Sequence, residues 1–219
     1  MGFLLYLIIN LAENSVPNDR MSFSKPKQAQ HIRPELLLHP NIPKPLHGLA
    51  PRTILGQLWW DRTRKSAYQK HHYCCHCCGE HVSKINPLMP TKNKLEAHEC
   101  YRINNATGRC EYIETVALCP DCHSYIHSGR LAALLDEGKI NHKTYDQIIE
   151  RGNSILSQHN LKKESYSGPC AEWDKYRLVV FGFEYEPLFK TFEDWKHHYY
   201  SEHSIDGYEQ EEELDYEDY

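Results

Sequence analysis

Residues 73–79 read YCCHCCG and residues 117–123 read ALCPDCH. Each stretch holds cysteines in C-x-x-C spacing, and a thiolate is the strongest zinc ligand a protein offers. Two such pairs give four thiolates, a closed tetrahedral set suited to a structural zinc ion. Cys119 and Cys122 form one pair. The other has two registers, Cys74 with Cys77 or Cys75 with Cys78. Gly79 favours Cys75 and Cys78, because a knuckle turns sharply after its second cysteine and glycine permits that turn. Six of the nine cysteines lie in these two clusters, and no secretion signal accompanies them, which favours metal over disulfides. Directly after Cys122 the chain continues as HSYIH. His123 and His127 are four apart, so a helix turns both to one face, and that face can hold a second metal. A further ligand is available earlier, at His98-Glu99 in LEAHE.

The surrounding pattern supplies the elements that must position these groups. NKLEAHE (93–99) and EYIETVAL (111–118) read as two strands around the turn RINNATGRC. A helix is expected from Pro120 or Asp121, with an interruption at Ser128 or Gly129 and a stop at Gly138. Residues 142–158 read as an amphipathic helix with Tyr145, Ile148, Ile149, Ile155 and Leu156 inward, and Gly152 weakens the pattern. RLVVFGFEY (177–185) reads as a strand and FEDWKHHYY (192–200) as a short helix. Before the cysteines, TILGQLWWDRTRKSAYQK (53–70) reads as a helix with Thr53 as N-cap and Leu55, Leu58, Trp59 and Arg62 at helical spacing. Trp59 and Trp60 are expected to anchor it, with Arg62, Arg64 and Lys65 on a basic side. Prolines at 26, 34, 40, 43, 45 and 51 predict an extended arm over residues 22–52.

Across residues 71–131 the chain resembles the HNH endonucleases, the ββα-metal nucleases. Cys75-x2-Cys78, LEAHE (95–99), ALCPDCH (117–123) and His127 carry the likeness. The resemblance implies an α+β fold: a zinc-stapled ββα-metal, treble-clef core with an N-terminal helical arm and a C-terminal α/β extension. It implies structural zinc on Cys75, Cys78, Cys119 and Cys122, and a catalytic metal on His98, His123 and His127. The ion expected there is Mg²⁺ or Mn²⁺. In the family, two adjacent residues end the first strand, one a metal ligand and the next, usually histidine, the general base. That gives His98 as ligand and Glu99 as base, or the two in exchanged roles. The family's middle asparagine falls on Glu114, a second departure. With His123 these form the expected catalytic group, and Arg102, Arg109 or Arg130 would brace the phosphate of a DNA substrate. The alternative is an inactive zinc-binding adaptor that docks nucleic acid or a protein.

Charge divides the chain. Residues 22–133 carry 15 Lys/Arg against 8 Asp/Glu, and residues 134–219 carry 9 against 20. The cysteine-rich half is therefore the part that attracts phosphate. The tail from 202 to 219 has nine acidic residues and no basic ones, a composition that predicts disorder. It is expected to be a solvating tail; the alternatives are competition with DNA for the basic core or, through the tail or the C-terminal extension, the docking of a protein partner. The segment MGFLLYLIINLA is too short to span a bilayer and has no basic residue ahead of it. It is expected to be a frayed extension, or the result of a start placed before Met21. No membrane association is expected, and the cytoplasm is the expected compartment. Four regions follow: an arm (1–52), a nuclease-like core (53–138), a helix-strand-helix extension (139–201) and the acidic tail (202–219).

Overall fold

The computed structural model describes residues 31–84 and 94–203. The apolar N-terminal segment and the acidic tail beyond residue 203 lie outside them. The fold is α+β, with five α-helices and a four-stranded sheet among the described residues. In chain order the elements are α1 (Pro51–Lys70), β1 (Glu96–Asn104), β2 (Arg109–Leu118), α2 (Pro120–Ile126), α3 (Ser128–Asp136), α4 (His142–Gln158), β3 (Arg177–Val180), β4 (Phe183–Tyr185) and α5 (Phe192–His203). The strands lie in sequence order: β1 and β2 antiparallel, β2 and β3 parallel, β3 and β4 antiparallel. None of the described helices is long and apolar enough to cross a membrane.

The β1–β2 hairpin is longer than the sequence suggests. Only residues 105–108 form the turn, so most of RINNATGRC is strand. His98 and Glu99 therefore sit inside β1 and do not end it. The register shifts at Cys100/Tyr101, where Cys100 faces Glu114 but Tyr101 faces Tyr112, leaving Ile113 as the extra residue of a bulge. RLVVFGFEY is two strands, not one, because Phe181 and Gly182 both take positive φ and turn the chain back.

The arm is not extended over its described part. Two 3-10 turns, Pro34–Leu38 and Lys44–Leu46, start at or next to prolines and bury Leu36, Leu37 and Leu46. Proline presets the φ that a first turn needs, and the leucines supply the apolar contact. Leu36 and Leu37 join a core with Leu95, Val116, Leu118, Ile126, Leu131, Ile148 and Leu156. Leu46 joins a second core with Cys110, Tyr176, Leu178 and Val180.

Helix α1 starts two residues earlier than the sequence suggests. Ala50 is its cap, and the Ala50 N–H donates to Thr53 Oγ1 at 2.9 Å. Gly56 breaks the helix at φ 83° and resets its phase. Leu58 consequently faces solvent, 79% exposed, while Trp59 packs edge-on against Tyr112 and Phe181. Helix α4 forms as its periodicity implies, capped by Asn141 Oδ1 accepting from the Thr144 N–H. Gly152 is required there: a Cβ would stand 2.1 Å from the Tyr125 ring of α2.

Candidate metal centres

The hairpin, the knuckle at 74–79 and the start of α2 bring two sets of ligand types together. In the first set, sulfur atoms of Cys75, Cys78, Cys119 and Cys122 lie within 4.8 Å of one another. Cys74 and Cys77 are buried but do not belong to the group. Gly79 takes φ +76° and its N–H donates to the Cys75 carbonyl at 2.8 Å, the turn that the register argument requires. On the other knuckle the Cys122 N–H points at Cys119 Sγ, at 3.5 Å. Burial pushes the Cys75 thiol well up, whereas hydrogen bonds from Cys119, Cys122 and Cys75 pull Cys78 far below the thiol range. Four cysteines so close can hold a structural metal such as zinc.

Sequence reasoning missed the group that faces this charge. Arg151 of α4 reaches Cys78 Sγ at 3.8 Å, Glu80 at 2.7 Å and Asp121 at 3.9 Å. The C-terminal extension is thereby tied to the knuckle.

The second set is His98, His123 and His127, with one ring nitrogen from each within 4.8 Å of the others. β1 supplies His98, which is only 5% exposed. His123 lies in α2, and His127 is its C-cap, held by its N–H donating to the His123 carbonyl at 3.1 Å. Burial, reinforced by the neighbouring imidazoles, pushes His98 down to about 2, and burial with His123 pushes His127 down to about 4. Both rings are neutral at physiological pH, the protonation state that binds metal.

Each ring is held from behind. Glu96 Oε2 lies 2.6 Å from His123 Nδ1. Asn41 Oδ1 lies 3.0 Å from His127 Nδ1, and His39 Nδ1 lies 3.3 Å from His98 Nε2. Glu96 had a sequence signal, since it precedes His98 by two in a strand and so shares its face. His39 and Asn41 had none. They come from the arm and depend on its docking.

The other expected residues divide between the site and elsewhere. Arg130 lines a pocket with Glu96, Ser124, His123 and His127. Arg102 and Arg109 do not line it. They lie toward the hairpin turn, roughly 13 and 20 Å from His98 at strand rise. Arg102 is 75% exposed and 3.8 Å from Glu111, and Arg109 pairs with Glu184 at 2.8 Å. Glu99 does not belong to the imidazole group. Strand alternation turns it to the opposite face of β1, where Tyr101 Oη donates to its Oε2 at 3.0 Å and its buried Oε1 makes no hydrogen bond among the described residues. Burial raises the Glu99 carboxyl, while the hydrogen bond to His123 lowers that of Glu96. Glu114 pairs with Arg33 at 2.6 Å and so anchors the arm.

No protein-family model, no curated protein and no solved structure matches the chain.

Proposed function

We propose that the chain is a metal-dependent endonuclease that hydrolyses phosphodiester bonds of DNA by an HNH-type, single-metal mechanism. The observation that carries this reading is the convergence of His98, His123 and His127 beside a pocket, one helix turn from the four-cysteine site. Four cysteines close a structural site, whereas three histidines leave a position open, as catalytic sites do.

Three imidazoles fit a borderline divalent ion, Zn²⁺, Co²⁺ or Ni²⁺, better than Mg²⁺, which prefers oxygen, and Mn²⁺ accepts nitrogen ligands more readily than Mg²⁺ does. When bound, such an ion supplies a Lewis acid for the charge that develops on the phosphate and the leaving oxygen. His98, His123 and His127 hold it. Arg130 on the pocket wall braces a phosphate oxygen. Position and basicity favour different carboxylates as the base that takes a proton from water. Glu99 has the raised pKa but sits on the far face of β1, whereas Glu96 has a lowered pKa but lines the pocket. A base must first reach its proton, so Glu96 is the better assignment, in place of Glu99. The Cys75, Cys78, Cys119 and Cys122 site is structural and fixes α2 against the hairpin.

Supercoiled plasmid incubated with the full chain tests this. Nicked circles are expected with Mn²⁺ or Zn²⁺ present and none after EDTA treatment. Intact plasmid under every metal condition would favour an adaptor that docks nucleic acid or protein without cutting it.

A further inference from the structure

β1 is the edge of the sheet, so alternate residues turn their N–H and C=O away from β2. At Tyr101 both groups meet one atom. The Tyr101 N–H lies 2.8 Å from His39 Nε2, and the Tyr101 carbonyl lies 3.1 Å from the same nitrogen. The N–H can only donate and the carbonyl can only accept. His39 Nε2 is therefore satisfied whether it is bare or protonated.

The choice is passed on to the next ring. If Nε2 is bare, the His39 proton sits on Nδ1 and points at His98 Nε2, so His98 keeps its own proton on Nδ1. That proton faces His127 Nε2, 3.2 Å away. If instead Nε2 donates to the Tyr101 carbonyl, His39 Nδ1 is bare and accepts from His98 Nε2–H. The lone pair of His98 Nδ1 then faces the other two imidazoles. The two arrangements hold the same number of protons. The first suits the metal-free protein and the second a loaded one.

The remaining rings are set the same way. An ionised Glu96 can only accept, so His123 carries its proton on Nδ1 and leaves Nε2 bare. With Asn41 Oδ1 accepting from His127 Nδ1–H, His127 Nε2 is bare as well. All three lone pairs then converge.

We propose that the arm segment His39–Asn41 is a working part of the histidine metal site: His39 is a positioning residue that lets His98 keep Nδ1 turned to the site, protonated without metal and bare with it, and Asn41 fixes the His127 ring. This rests on the reading of His98, His123 and His127 as metal ligands. It extends the site to a segment outside the stretch that resembles the nucleases. The Arg33–Glu114 pair, together with Leu36 and Leu37, docks that segment. Partners behind a ligating histidine fix its tautomer and orientation, and their removal typically costs 10- to 100-fold in metal affinity.

The test is Co²⁺ titration of the full chain with zinc already in its cysteine site, followed by visible absorption. His39→Phe, which keeps a flat ring without nitrogens, and Asn41→Leu should each weaken Co²⁺ binding about 10- to 100-fold. Their cysteine-bound zinc and circular dichroism should match the unmodified chain. Asn41→Asp, which keeps the accepting oxygen, should bind within about threefold. Equal affinity for His39→Phe and the unmodified chain overturns the proposal. A second measurement needs no substitution. Nitrogen-15 spectra of the imidazoles, before and after Zn²⁺ fills the second site, should move the His39 proton from Nδ1 to Nε2. A His39 protonation pattern that ignores zinc overturns it. An unmodified chain that takes up no second ion overturns both this proposal and the metal-site reading beneath it.

Discussion

Glu96 and Glu99 stand three residues apart on β1 and meet opposite surroundings. Glu96 lines the pocket and holds His123, while Glu99 is half-buried on the other face beside Tyr101. We expect Glu96→Gln to lower plasmid nicking by about 100-fold or more, the ordinary worth of a general base, and Glu99→Gln to lower it less. The two variants compared in one nicking assay decide the base, and a larger loss at Glu99 would return it to the position the family resemblance implied. The ligand residues were legible because their spacing is short and chemical: C-x-x-C twice, then histidines four apart. Glu96 was legible in principle from strand alternation. His39 and Asn41 were not, since a histidine and an asparagine in a proline-rich arm carry no sign of what they will touch.

Elements with a strong apolar period were readable, and those shaped by glycine or by docking were not. α4 follows from Ile148 and Leu156 at helical spacing. α1 was misphased because a positive φ at Gly56 resets its faces, and the β1–β2 hairpin was shortened because its distal half is polar. Gly152 looked like a flaw in α4, yet it is what lets α2 approach. Gly152→Ala would force its new methyl into the Tyr125 ring, and we expect a loss of about 1–3 kcal/mol in urea unfolding. Tyr125→Leu in the same chain should recover part of it. α4 also carries Arg151 to the cysteine site. Arg151→Ala should leave the four sulfur ligands in place but weaken zinc about 10- to 100-fold, measured by competition with a chelator. Unchanged zinc retention would mean that Arg151 serves only its ion pairs with Glu80 and Asp121.

The whole molecule is closed by contacts between distant parts of the chain. The arm reaches the hairpin through Arg33 and Glu114 and reaches α5 through His47, whose Nδ1 accepts from Trp195 Nε1–H at 3.2 Å. Burial lowers the His47 pKa, and Lys44 on its own turn adds to this. Trp195 and Tyr199 face it from α5 and are uncharged. A histidine depressed in the fold binds fewer protons there than in the unfolded chain. Its contribution is therefore complete above the ordinary imidazole value of 6.5 and is lost as pH falls below it. Trp195 fluorescence should report α5 loosening as pH falls below 6.5, and His47→Gln should shift or abolish the transition. The charge of the two parts is legible from their Lys/Arg and Asp/Glu content, but these junctions are not, because they depend on tertiary packing. Under the proposed function the two ligand sets are separate, one structural and one catalytic. His123→Ala tests it most directly, because His123 adjoins Cys122 yet belongs to the other set. Supercoiled-plasmid nicking by this variant, with cysteine-bound zinc and circular dichroism measured on the same sample, should fall by about 100-fold or more while that zinc and the fold stay intact. Nicking at the unmodified rate with zinc and fold intact would contradict the assignment.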